Sequence, residues 1–169
     1  MLSALRALRA RSSLSGYLVV ENAITDEQLQ TLREAMDTSL DRKESEDAAS
    51  FEPSEDGGPA EYEAPPNRLF GELLEEDERF EFLLDAPPVL SRMKAILGNA
   101  VQLHSATARC TKGGAADQDW HRDVPWAVAP EGTPYGAGPG QINCGYFLDE
   151  LTMDNGPIVL VRNTPLFAQ

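Results

Sequence analysis

Positive charge is scarce in this sequence: 14 lysines and arginines stand against 28 aspartates and glutamates, a formal net charge of −14. So acidic a surface repels polyanions, which argues against nucleic acid and anionic membranes as partners. Cysteine is scarcer still. Cys110 and Cys144 are the only two and lie far apart, so no disulfide framework is implied and a reducing, intracellular compartment is the simpler reading. No apolar run approaches the ~20 residues that a membrane-spanning helix needs. Histidine occurs only at His104 and His121. What remains is ordinary for a globular protein: 169 residues, 41% hydrophobic and 25% charged, fit a single domain with a real core.

The chain opens with "MLSALRALRARSS", where Arg6, Arg9 and Arg11 precede the first acid, Glu21. Two readings stand. One is an Arg- and Ser-rich transit segment, which would direct the protein to mitochondria; the other is a first helix with Leu2, Leu5 and Leu8 on one stripe. The interrupting arginines argue against a secretory signal. "GYLVVENAI" reads as a short buried strand entered through Gly16. A helix starts at Thr25: Thr25 and Gln28 form a capping box, Ile24 and Leu29 staple the entry, and Leu29, Leu32, Met36 and Leu40 keep the helical period. Residues 41–66 are dense in Asp and Glu and end in "APPN". That composition predicts a long, mobile, solvated loop, either a surface insertion or a lid.

Two more helices are expected. "EEDERFEFLLD" puts Phe80, Leu83 and Leu84 on one face. "PPVLSRMKAILGN" has proline at its start, glycine past its end, and Val89, Met93, Ile96 and Leu97 at helical spacing. After Gly98 the pattern turns to β: "AVQLHSATARCT", "DWHRDVPW", "QINCGYFLDEL" and "PIVLV", separated by turns at "KGGAADQ", a Gly/Pro-rich loop over 129–140, and "TMDNG". Helices first and strands afterwards predict an α+β or β-sandwich domain.

The chemistry gathers at "DQDWHRDVPW", residues 117–126. Side chains two apart on a strand share a face, so His121 and Asp123 can reach one point. An imidazole with a carboxylate suits a borderline divalent metal such as Fe(II), as in the 2-His-1-carboxylate facial triad. The spacing alone leaves a second reading open, a polar edge strand. Asp117 and Asp119 fall on the same alternation and read as loop or edge polars; His104 reads as a core or hydrogen-bonding histidine; Cys110 and Cys144 read as small core residues.

The surrounding chain resembles the phytanoyl-CoA dioxygenase family of Fe(II)/2-oxoglutarate oxygenases. "GYLVVENAITDEQLQTLREAMD" is similar to the family's opening strand and capped helix. "VLSRMKAILGNAVQLHS" resembles the helix, glycine and strand before the metal strand, and "DWHRD" matches the W-H-x-D segment. "GYFLDELTMDNGPIVLV" resembles the strand, acidic turn and Asn-Gly-Pro hairpin, so that residues 14–161 are covered in order. The resemblance implies an α+β fold, a double-stranded β-helix (cupin-like jelly roll) with N-terminal helices, carrying Fe(II) and 2-oxoglutarate as cosubstrate. It implies His121 and Asp123 as the first two iron ligands, which are the catalytic residues as well. Tyr146 and Arg68 would bind the cosubstrate, and Trp126 would wall the pocket.

The resemblance stops after "DNGPIVLV". The family continues to a second histidine and an arginine, whereas here no histidine follows His121 and Arg162, on the wrong strand for a clamp, is the only arginine beyond the hairpin. With four or five strands, too few for a jelly roll of eight, the expectation is an incomplete barrel with open edges, a divergent tail over 162–169, and a truncated dioxygenase of a small or lipid-like organic substrate. Two other classes compete: a non-catalytic interaction or regulatory protein that keeps a half jelly roll, and a cupin-like metal-binding module without 2-oxoglutarate.

Overall fold

The computed structural model describes residues 16–53, 61–121 and 141–161. The arginine-bearing N-terminal segment, the Gly/Pro-rich loop, Asp123, Trp126 and the tail from Arg162 lie outside these residues.

Helix α1, Asp26–Ser50, begins as its sequence predicts. Thr25 is extended, its Oγ1 accepts from the Gln28 N–H at 3.1 Å, and Gln28 Oε1 accepts from the Thr25 N–H at 2.9 Å. Two of the helix's orphan donors are thereby satisfied, and Asp26 and Glu27 complement the dipole in the first turn. Leu32, Ala35, Met36 and Ser39 form the buried stripe at spacings of three and four. Leu32, Ala35 and Met36 meet Phe70, Leu73 and Phe80 in the core, against which Ile24 and Leu40 also pack.

The loop expected over 41–66 is corrected in its first part: residues 41–50 continue α1. Charge there is paired along the helix rather than left to solvent. Lys43 lies 3.3 Å from Asp47 and Arg42 lies 3.4 Å from Glu46, each one turn on. The same stretch is tied across the fold, Arg42 to Glu76, Glu44 to Lys112 at 2.6 Å, and Asp47 to Arg68 at 2.6 Å. Composition showed the charge but not its partners. Residues 61–66 are irregular, as expected of a loop.

Strands β1, Asn67–Phe70, and β2, Ala108–Thr111, pair antiparallel with Arg68 opposite Cys110 and Phe70 opposite Ala108. The pairing extends one bond at each end, Lys112 N–H to Pro66 O at 2.7 Å and Leu73 N–H to Ala106 O at 3.0 Å. Alternation along β1 buries Arg68 and Phe70 and exposes Asn67 and Leu69.

Between the strands, "EEDERFEFLLD" forms a short helix α2, Leu73–Glu76, and then a 3-10 helix, Glu78–Leu84, in place of one α-helix. Asp77 makes the break: extended itself, it accepts from the Arg79 N–H and so caps the second piece. Phe80 is buried, but Leu84 is 42% exposed and does not share its face. Helix α3, Pro87–Leu97, starts on its prolines and ends at Gly98 with φ +100, a value that favours glycine.

Helices and strands are mixed, but the helices-first order is corrected: β1 precedes α2, the 3-10 helix and α3, and among the described residues the strands are fewer than the sequence pattern predicts. Among the described residues there is a single two-stranded sheet and no jelly roll. "GYLVVENAI", the part of "DWHRD" up to His121, "QINCGYFLDEL" and "PIVLV" follow no ladder among the described residues. A strand is stabilised by its neighbours, and period-2 patterning without a facing strand leaves only extended chain. Residues 141–161 are held by a few contacts: Arg33 Nε on α1 donates to Leu148 O at 2.8 Å, Leu148 packs on the core, and Asn155 bridges the Thr152 N–H and Glu150 O across the turn.

Candidate functional site

Three of the four site residues predicted from sequence lie among the described residues. Arg68 is held by β1, and alternation turns it toward α1 beside Phe70. It is 9% exposed, and among the described residues Ser39 is the only other buried polar residue. Its Nη1 donates to Asp47 Oδ2 at 2.6 Å and its Nη2 to the Tyr62 hydroxyl at 2.9 Å. The Arg68 hydrogen bond, helped by Lys43, holds the Asp47 carboxyl below its usual range. A buried guanidinium needs such partners, because an unpaired buried charge is costly. Asp47 and Tyr62 were missed from sequence because both fell in the predicted loop. The available signal was the four-residue spacing of Lys43 and Asp47, which marks a helix.

Tyr146 sits on the extended segment after Gln141, in alternation with exposed Gly145 and Phe147. Its hydroxyl is buried and has no hydrogen-bond partner of good geometry among the described residues. Burial, followed by the neighbouring Cys144 thiol, pushes its phenol from 10.0 up to about 12. The Cys144 thiol is itself pushed up by burial, although the residue as a whole is exposed; Cys110 is half-buried against the core. Only Cys110 behaves as the small core residue expected of both.

His121 is exposed, with its Nδ1 at 2.8 Å from the Asp119 carbonyl. A carbonyl only accepts, so Nδ1 carries the hydrogen in this contact. Metal-binding histidines commonly donate one ring N–H to a backbone carbonyl in this way. Asp117 and Asp119 are exposed on irregular chain. Of the two expectations for His104, the core one is corrected, since the residue is exposed, and the hydrogen-bonding one is met by Ser105 Oγ at 3.5 Å from its Nδ1.

Among the described residues no three His, Cys, Asp or Glu side chains gather closely enough to hold a metal. No helix of these residues is long and apolar enough to cross a membrane. The described residues therefore do not fit a complete iron centre: His121 has the tautomer of a ligand but no gathered donors. Nor is a cosubstrate's carboxylate accommodated directly, since the Arg68 fork is filled by Asp47 and Tyr62.

A model of the phytanoyl-CoA dioxygenase family matches residues 13–165. The chain belongs to this family. No curated protein and no solved structure matches it. Phytanoyl-CoA dioxygenase family members are generally oxygenases that use Fe(II) and 2-oxoglutarate on a cupin-like fold.

Proposed function

We propose that this chain is an Fe(II)/2-oxoglutarate-dependent dioxygenase acting on a small or lipid-like organic substrate. His121 and Asp123 are its iron ligands, and Arg68 and Tyr146 serve the cosubstrate. The observation that carries the reading is the family match over 13–165, which contains all four residues. The Nδ1–H of His121 on Asp119 O supports it, because metal-ligating histidines commonly donate one ring N–H to a backbone carbonyl. So do a buried cation at Arg68 and a buried hydroxyl at Tyr146, the two kinds of group that recognise a carboxylate.

Anaerobic titration of Fe(II) into the purified protein with 2-oxoglutarate tests this, with visible absorption as the readout. The expected result is a metal-to-ligand charge-transfer band that His121→Ala and Asp123→Ala each abolish. Absence of the band in the unaltered protein, or its persistence in both variants, sinks the assignment.

A second reading, a non-catalytic interaction protein, is favoured by one observation. Among the described residues Ile158, Val159, Leu160 and Val161 form a run of apolar side chains that are all about half exposed or more. A partnered protein of this kind would run as one defined oligomer in sedimentation and bind no iron.

A further inference from the structure

We propose that Asp47 is a built-in occupant of a carboxylate site formed by Arg68 and Tyr62, which a free dicarboxylate enters by displacing it. The inference rests on the reading that Arg68 receives the cosubstrate's carboxylate, and adds how that site is held before binding.

Three features support it. A guanidinium recognises a carboxylate best through two parallel N–H···O bonds to its two oxygens. Here Asp47 takes only Nη1, through Oδ2, while Nη2 goes to the Tyr62 hydroxyl. The present occupant is thus monodentate, and a ligand carboxylate spanning both nitrogens improves on it. Asp47 also has somewhere to go. Its side chain is 30% exposed, and Lys43 Nζ stands 3.3 Å away, one turn back on α1. On leaving Arg68 the carboxylate keeps a cation beside it and turns to solvent. Finally, the site does not lose its charge logic when emptied. Arg68 is buried on β1 opposite the half-buried, neutral Cys110, so an exogenous anion restores the neutralisation that Asp47 provided.

Displacement has a measurable consequence: the apparent affinity is reduced by the fraction of molecules in which Asp47 holds Arg68. Binding of glutarate and of 2-oxoglutarate to the full chain, without metal, is to be followed by ligand-observed NMR. Asp47→Asn and Asp47→Ala are compared with Arg68→Met, and each variant is checked for helical content by circular dichroism. The expected result is about tenfold tighter binding in both Asp47 variants and loss of binding in Arg68→Met. Were Arg68→Met to bind as the unaltered protein does, Arg68 would not be the anchor, and the cosubstrate reading of Arg68 would fall together with this one. Should Arg68→Met lose binding while the Asp47 variants gain nothing, Arg68 remains the anchor and only the displacement idea is overturned. Failure of the Asp47 variants to bind either acid overturns it as well.

Discussion

Residues 26–97 and residues 101–161 carry similar amounts of apolar side chain but use it differently. The earlier region buries Leu32, Ala35, Met36, Phe70, Leu73, Phe80, Ala86 and Val89, all at 8% exposure or less. The described part of the later region contributes no fully buried hydrophobic residue, and Trp120 and Met153 are 71% and 87% exposed. The difference lies in what each element needs. A helix satisfies its own backbone and requires only one covered stripe, which three short elements supply to α1. A strand needs a neighbour for its backbone and a facing layer for its side chains. Among the described residues of the later region only Ala108–Thr111 finds the first.

The sharpest way to break this comparison is with paired truncations. Phe80→Ala, in the core, is expected to cost about 3–5 kcal/mol, and Ile158→Ala under ~0.5 kcal/mol, in urea unfolding. Equal losses would show that the later region is packed as well as the earlier one. A smaller effect is expected at the N-cap. Thr25→Ala removes the acceptor for the Gln28 N–H and should lower stability by about 1 kcal/mol, with loss of helical circular dichroism but no change at Tyr146.

The smallest effect, and the one that separates the regions most cleanly, is in pH. The Arg79 side chain and N–H hold Asp77 down to about 2 from 3.8. Its contribution is therefore fully present above pH 3.8 and is lost as pH falls through about 2, an acid-end effect of the earlier region. Tyr146 runs the other way. Its phenol is raised from 10.0 to about 12, so its contribution is present below pH 10 and is lost as pH rises through about 12. Ultraviolet titration of phenolate should show one late-ionising tyrosine that Tyr146→Phe removes. If every tyrosine ionised near pH 10, Tyr146 would be no more enclosed than the surface around it.

How much was legible beforehand follows the range of the signal. The capping box at Thr25 and Gln28, and the stretch from Pro87 to Gly98, were readable because each acts over a few consecutive residues. The His121–Asp123 pair was readable as a spacing, and the tautomer of His121 was not, since it depends on where the Asp119 carbonyl turns. The acidic stretch after Leu40 was misread for the same reason. Counting its charges suggested a solvated loop, whereas Glu76, Lys112 and Arg68 stand ready to meet them.

The sequence by itself determined where α1 and α3 begin, where α3 stops, which family the chain joins, and which residues are chemically equipped to be ligands. These rest on local hydrogen bonding, backbone preference and ordered motifs, all of which are properties of neighbours along the chain. The tertiary structure alone decided that α1 runs on to Ser50, that "EEDERFEFLLD" breaks at Asp77, and that Arg68 meets Asp47 and Tyr62. A buried charge accepts whichever partner the fold delivers within about 3 Å, and that partner is chosen by packing across the chain rather than by spacing along it.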